Sequence, residues 1–329
     1  MAGKIKRTIK RSSEPDVVTL FSAFDEFITE KEARNLSAPT IKNYQVTFRI
    51  FCAFYNFDED TPITEINQNL FYKWINTLKL EGVKHTSINH YLRDCRAFFY
   101  WCMSPDRRYI ENSFKIDMIK GQEESIKHFT DEEVNALLEK PKRSEDFIVW
   151  RSWAIINWVI GTGNRAATIC DIQMGDVDFK NKEIILRHTK NKKAQIIPLS
   201  SSLATILKEY IKLWRFDCRA DDWLFCNIGE EQLTTNALRK AFANFCNSRG
   251  VDKTNIHGLR HTFAKMWIKN NGSEIKLQKI LGHSSLEMTR RYVRLFAEDI
   301  KEDFDDFSPL DTIKKSQKRT QSVKRSSDD

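Results

Sequence analysis

Between residues 120 and 128 the chain reads KGQEESIKH and loses the apolar period that organises the residues on either side. A helix or strand stays folded by burying an apolar face, so a polar break of this length separates two cores. Directly after it, Thr130 and Glu133 in FTDEEVNALLEK form a capping-box start for a new helix. The break is therefore read as an interdomain linker over residues 121–129, between a first domain at 16–120 and a second at 130–300. A chain of 329 residues, 41% of them hydrophobic, is long enough to give each half its own core.

From about Val17 to Met103 the pattern is helical throughout. Leu70, Phe71, Trp74, Ile75 and Leu78 recur at helical spacing before Gly82, and Ile88, Tyr91, Leu92, Cys95, Phe99 and Cys102 form a second stripe. LSAPTIKNYQVTFRIFCAFY adds a Ser/Pro/Thr start signal and a run of aromatics, so a bundle of about four helices is expected. Its polar faces carry Lys42, Arg49, Arg93 and Arg96, which are either solvated or contacts to a polyanion. For any single one of them the solvated face is the favoured reading, while a net charge of +8 favours a polyanionic partner for the chain as a whole, because Lys and Arg set against phosphates release condensed counterions. Both ends concentrate that charge: residues 1–15 read as a basic flexible arm with Lys4, Lys6, Arg7, Lys10 and Arg11, and the 301–329 tail contains KKSQKRTQSVKRSS. No apolar run is long enough to span a membrane and the N-terminus has no apolar signal core, so no membrane partner and a cytoplasmic location are expected. Seven cysteines, odd in number and without a CxxC pair, read as reduced, mostly packed thiols.

The second domain starts with helices, including the Trp-rich FIVWRSWAIINWVIGTG. EIILRHT and AQIIPL, separated by KNKK, follow as a β-hairpin before the pattern returns to helices up to about residue 300. Its chemistry is concentrated between His257 and Tyr292. At helical spacing His257, Arg260 and His261 share one side, while Leu259, Phe263 and Met266 share the other. A histidine carries protons near neutral pH and an arginine one turn on can clamp phosphate oxygens. A zinc site at His257 and His261 is the weaker reading, since the glutamate of HExxH and a third ligand are missing. SEIKLQKILGH ends a helix at Gly282 and presents His283 beyond it, and Ser284 with Glu287 forms a capping box for the helix holding Tyr292. A tyrosine needs a base or a strongly positive setting to act as a nucleophile, and Arg290, Arg291 and Arg294 supply charge around Tyr292.

These residues resemble the tyrosine recombinase (phage integrase) family. Its pattern is an arginine in a TGxR turn, a lysine in a β-hairpin, HxxR, a further histidine or tryptophan, and a tyrosine. Here GTGNRAATI carries Arg165, HTKNKKAQIIPL carries Lys190, HGLRH carries His257 and Arg260, LGH carries His283, and Tyr292 follows in order. The resemblance implies a mainly α chain: a helical core-binding, SAM-like first domain and an α+β catalytic domain with a small antiparallel sheet, together forming a C-shaped clamp on DNA. It implies that Tyr292 attacks a scissile phosphate to leave a 3′-phosphotyrosyl bond and a free 5′-hydroxyl. Arg165, Arg260 and His283 would meet the charge on the phosphate, Lys190 would protonate the leaving oxygen, and His257 would accept a proton or orient the phosphate. Lys192 and Lys193 lie close enough to Lys190 to share that assignment or to contact DNA. No metal and no cofactor are implied, and no ATP, because bond energy is conserved.

One position departs from the pattern. Where the family has an acidic residue after its first arginine, this chain has Thr168, and His261 is expected to supply some of the missing support. The implied partners are double-stranded DNA with a specific recombination site, a homo-tetramer on paired sites and an accessory DNA-bending protein. Residues 295–313 are equally readable as a segment docking on a neighbouring subunit or as a tail folded back on its own domain. The expected function is site-specific recombination, as integrase or transposase of a mobile element. The alternatives are a type IB topoisomerase or telomere resolvase, and a catalytically silent DNA-binding relative.

Overall fold

In the computed structural model, residues 18–121, 128–187, 194–283 and 285–296 are described, and the chain divides into two compact units, residues 1–124 and 125–329. The basic arm, residues 122–127 of the expected linker, the Lys190 loop, Ser284 and the tail lie outside the described residues.

Among the described residues the first unit has four α-helices. Thr19 and Ser22 close a reciprocal cap on α1 (Leu20–Ala33), and α2 (Ala38–Tyr55) starts with proline in its first turn and stops at Asn56 in the left-handed region. Helices α3 (Gln68–Leu80) and α4 (His85–Cys102) match the two apolar stripes. Their core is aromatic: Phe24 stacks on Phe48 with ring centroids 3.7 Å apart, and Phe51 lies between Phe71 and Trp74. Each such ring, removed from water, contributes about 1.5–3 kcal/mol before the entropy of ordering it is counted. Among the described residues one charged group enters this core, Asp94, whose carboxylate accepts a hydrogen bond of 2.8 Å from the Thr47 hydroxyl.

In the second unit, Thr130 caps α5 (Asp131–Leu138) and Glu133 returns the bond to the Thr130 amide. At the end of the stretch read as linker, Phe129 packs in the core and its amide donates to the Thr262 hydroxyl. The following helix, α6 (Phe147–Thr162), buries side chains on all sides, including Trp150, Trp153 and Trp158, and so serves as the central element. It contacts α5 and three helices described below. After α7 (Ala166–Cys170) come three antiparallel strands, β1 (Val177–Asp178), β2 (Glu183–Leu186) and β3 (Gln195–Pro198), in the order β1-β2-β3. Ile184 pairs with Ile197 facing the core and Ile185 with Ile196 facing outward. The hairpin is as expected from sequence; β1, with two residues, carries too little pattern to be read there. Helices α8 (Ser201–Trp214), α9 (Thr235–Ser248), α10 (Ile256–Lys269), α11 (Glu274–Leu281) and α12 (Leu286–Phe296) complete the unit. α6 packs against α8, α9 and α10, while α10, α11 and α12 pack on one another. All seven cysteines are free thiols, and only Cys218 is not buried.

Candidate active site

The second unit gathers Arg165, His257, Arg260, His261, His283 and Tyr292 around the C-terminal end of α11. The first support is the turn that ends α6. Gly163 has φ +65, and a Cβ there would lie 2.5 Å from Phe263 Cδ1 and 2.7 Å from Leu281 Cδ2. Only glycine meets both the left-handed backbone and the close approach. The turn is locked from inside, with Trp158 Nε1 donating to Asn164 Oδ1 at 2.9 Å and the Thr162 hydroxyl donating to the Trp158 carbonyl at 2.7 Å. Arg165 follows as the N-cap of α7.

The second support is the end of α11. Gly282 caps it at φ +61, and the carbonyl of Leu281 accepts from both arginines, from Arg165 Nη1 at 3.3 Å and from Arg260 Nη2 at 2.8 Å. Arg260 Nη1 donates to the Gly163 carbonyl at 2.6 Å. Carbonyls left open at a helix end carry partial negative charge, which suits two cations. Helical spacing puts Arg260 on the same side as His257, away from the packing face; in the structure it is 2% exposed, because its guanidinium turns inward to these carbonyls. Burial first, and then the neighbouring charge of Arg165, lowers its pKa to about 10. Burial likewise lowers that of Arg165. Among the described residues neither guanidinium is paired with a carboxylate, so the cluster carries net positive charge that an anion would neutralise.

His283, 9% exposed, places Nε2 3.0 Å from Arg260 Nη2 and Nδ1 2.9 Å from the hydroxyl of Thr289, itself 0% exposed. Burial, then Arg260, Arg165 and His257, lower its pKa to about 4, so the ring is neutral at pH 7. Tyr292 is 5% exposed within an apolar cluster of Phe263, Ala264, Leu277 and Leu281. Its hydroxyl is 2.8 Å from His261 Nδ1, and its ring lies parallel to that of His283 with centroids 6.1 Å apart. His261 thus touches the tyrosine itself, a more direct place than the supporting one expected of it. His257 is open to solvent at the rim, its ring centroid 4.5 Å from that of His261. Partial burial, then Arg260, Arg165 and Arg239, lower its pKa.

Thr168 is half-buried on α7, and among the described residues its hydroxyl makes no hydrogen bond. Lys190, Lys192 and Lys193 lie outside the described residues. The side chain of Gln195, which follows that loop, donates to the Lys279 carbonyl and so ties β3 to α11. In the first unit Lys42 and Arg49 line one open groove of about 540 Å³ between the end of α1 and α2. Arg93 is exposed on α4 and Arg96 stacks against Tyr100, outside that groove. Sequence reasoning missed Thr289 and Arg239. Their only signals were a threonine inside a helix, where it is mildly unfavourable unless used, and one basic residue among many. Among the described residues no three His, Cys, Asp or Glu side chains converge to hold a metal ion. The cluster can bind a phosphate, place a phenol beside it and move the phenolic proton to an imidazole.

The phage integrase family matches residues 127–299, and the phage integrase N-terminal SAM-like domain matches residues 23–105. The tyrosine recombinase XerA of Saccharolobus solfataricus is 27% identical over 304 residues, spanning 89% of this chain and 94% of its own. Among solved structures, the XerH site-specific recombinase bound to palindromic difH substrate, in a post-cleavage complex, aligns with a TM-score of 0.67 at 21% identity, covering 88% of this chain and 90% of that one. A lambda integrase tetramer bound to a Holliday junction aligns with a TM-score of 0.66 at 17% identity, covering 84% and 78%. At these identities the two structures speak for the fold. With one family match spanning more than half of its residues and a second lying on its first unit, the chain belongs to the phage integrase family, the tyrosine recombinases.

Proposed function

We propose that this protein cleaves and rejoins double-stranded DNA at a specific site, with Tyr292 as the nucleophile. The observation that carries this reading is a pair of guanidiniums, half-buried Arg165 and buried Arg260, held by backbone carbonyls beside a tyrosine hydroxyl with no carboxylate partner among the described residues. Such a pair favours a bound anion, and charge developing on a phosphate is met by groups already fixed in place. Tyr292 Oη attacks phosphorus, and its proton passes to His261 Nδ1, 2.8 Å away. The P–O5′ bond breaks, leaving a 3′-phosphotyrosyl link, and Lys190 gives a proton to the 5′ oxygen. Arg165, Arg260 and His283 hold the phosphate oxygens, His257 orients the phosphate from the rim, and a 5′-hydroxyl from a partner strand reverses the step.

The finer reading is an integrase or transposase of a mobile element, working as a tetramer on two sites with an accessory DNA-bending protein. It rests on the sequence resemblance. In it Lys42, Arg49, Arg93 and Arg96 contact phosphates, and Thr168 and His261 support the active site. Lys192 and Lys193 extend these contacts from the Lys190 loop.

The test is covalent capture. The protein is incubated with a pool of nicked duplexes of random sequence, and DNA that stays on it through denaturation is recovered and sequenced. The wild type should enrich one site and Tyr292→Phe none. Failure of the wild type to retain DNA, or equal retention by the variant, contradicts the proposal. Joining of two copies of the recovered site supports recombination, whereas relaxation of supercoils at many sequences without paired sites would point to topoisomerase action instead.

A further inference from the structure

His283 is placed to meet the phosphate, yet in this structure it has no proton to offer. Arg260 Nη2 lies 3.0 Å from His283 Nε2. A guanidinium has donors only, so Nε2 accepts and carries no hydrogen. The ring is neutral at pH 7, with its pKa lowered to about 4 chiefly by burial and then by Arg260 and Arg165. Its single proton is therefore on Nδ1 and is donated to Thr289 Oγ1, 2.9 Å away. A bare Nε2 facing a phosphate oxygen would set two lone pairs against each other.

We propose that Thr289 is a positioning residue whose hydroxyl, by turning from acceptor to donor, lets His283 present an Nε2 proton to the bound phosphate. The inference rests on the reading that the His283 side chain faces a phosphate. When the anion draws the one Arg260 Nη2 hydrogen that points at the ring, Nε2 loses its donor. The neutral ring that can then bond the phosphate carries its proton on Nε2 and leaves Nδ1 bare. A bare ring nitrogen in a buried place needs a donor, and an unmet one costs about 1–3 kcal/mol. The Thr289 hydroxyl, 0% exposed and already in contact with Nδ1, serves either tautomer by rotation about its C–O bond. Nε2 takes one proton from solvent as Nδ1 gives one up to it, so the neutral ring changes tautomer and the net charge is unchanged. Thr289 lies one turn before Tyr292 on α12, on the same face. Docking of that helix therefore sets the nucleophile and the tautomer of His283 together.

The test uses the full chain and the duplex recovered by covalent capture. Thr289→Val keeps the shape and removes the hydroxyl, and should slow adduct formation about 10- to 100-fold, the scale seen when a metal-ligating histidine loses the partner behind it. Thr289→Ser should stay close to the wild type. The decisive comparison is in a His283→Trp background, where the indole has one N–H and no lone pair to orient. There the same valine change should alter the rate less than about twofold, since no tautomer remains to be chosen. A merely structural role would slow both backgrounds alike, and that result would overturn the proposal, as would a Thr289→Val protein that cleaves at the wild-type rate.

Nitrogen NMR of histidine-labelled protein gives a second, activity-independent readout. The DNA-free protein should show His283 protonated at Nδ1 alone, moving to Nε2 when the captured duplex is added. A ring already protonated at Nε2 without DNA refutes the tautomer assignment. If the wild type captures no DNA, the functional reading fails while this measurement on the free protein still decides the tautomer.

Discussion

The turn at Gly163 gives a prediction whose magnitude can be built from the structure. Changing Gly163 to alanine forces a Cβ into the left-handed region at φ +65 and to within 2.5 Å of Phe263 and 2.7 Å of Leu281. The backbone conformation alone costs about 1–2 kcal/mol, and displacing two packed side chains adds about 1–3 kcal/mol. The total is about 2–5 kcal/mol. A control within the same unit separates the two parts: Gly250 has φ +68, and its added Cβ would meet nothing within 4 Å. Gly250→Ala should therefore cost only the conformational part, about 1–2 kcal/mol. Native-state hydrogen exchange of amides in α6 and α10 reads the opening free energy of this unit directly. The crowding has a functional consequence as well. The Gly163 carbonyl holds Arg260, and the Leu281 carbonyl holds both arginines, so pushing Leu281 aside displaces the pair without removing a charge. Covalent adduct formation should fall in Gly163→Ala and not in Gly250→Ala. Equal stabilities in the two variants, or a wild-type cleavage rate in Gly163→Ala, would refute the account of this turn.

Other expectations follow from the same geometry. Arg260→Ala should lower cleavage by about 10²–10³-fold, as loss of a preorganised donor does. It should change the salt dependence of DNA binding by no more than one phosphate contact, and a parallel collapse of binding would contradict the assignment. The pKa of His283 falls from 6.5 in the unfolded chain to about 4 in the folded one. Below pH 6.5 the unfolded state therefore gains a proton that the folded state refuses, and stability is lost as pH drops toward 4. This group should account for about 3 kcal/mol between pH 7 and pH 4, and His283→Gln should flatten the pH dependence in urea titrations; an unchanged slope would exclude the effect. Burial pushes the Cys52, Cys170 and Cys246 thiols up to about 12, so thiol reagents should label Cys218 first in the native protein and reach the buried cysteines only on unfolding. Rapid native labelling of Cys52 would contradict its burial.

Much of the fold was legible because it is local. The Thr130–Glu133 box, the glycine stop at Gly282, the apolar stripes of α3 and α4 and the β2–β3 hairpin all depend on residues close in sequence. The site was legible as a set of residue types, since side chains suited to phosphate chemistry are few and their order along the chain is distinctive. What sequence could not carry is how they are joined. The two arginines meet at a backbone carbonyl, that of Leu281, which has no side-chain signature. Arg260 shares the polar face of its helix with His257 and turns inward because buried carbonyls need donors, which periodicity does not register. His261 meets Tyr292 across packed helices, and Thr289 reaches back to His283 over the start of α12, a contact wider than one turn of pattern. β1 was missed because two residues do not make an alternation.

The most direct test of the account is to locate the DNA on the protein. The adduct recovered by covalent capture is digested with nuclease and protease, and the modified peptide is sequenced by mass spectrometry. Tyr292→Phe serves as control, since phenylalanine keeps the packing against Phe263, Leu277 and Leu281. The account predicts one modified residue, Tyr292, joined to a nucleotide through its 3′-phosphate, and no adduct in the control. A phosphate on any other side chain, or a link through the 5′ end, would contradict it.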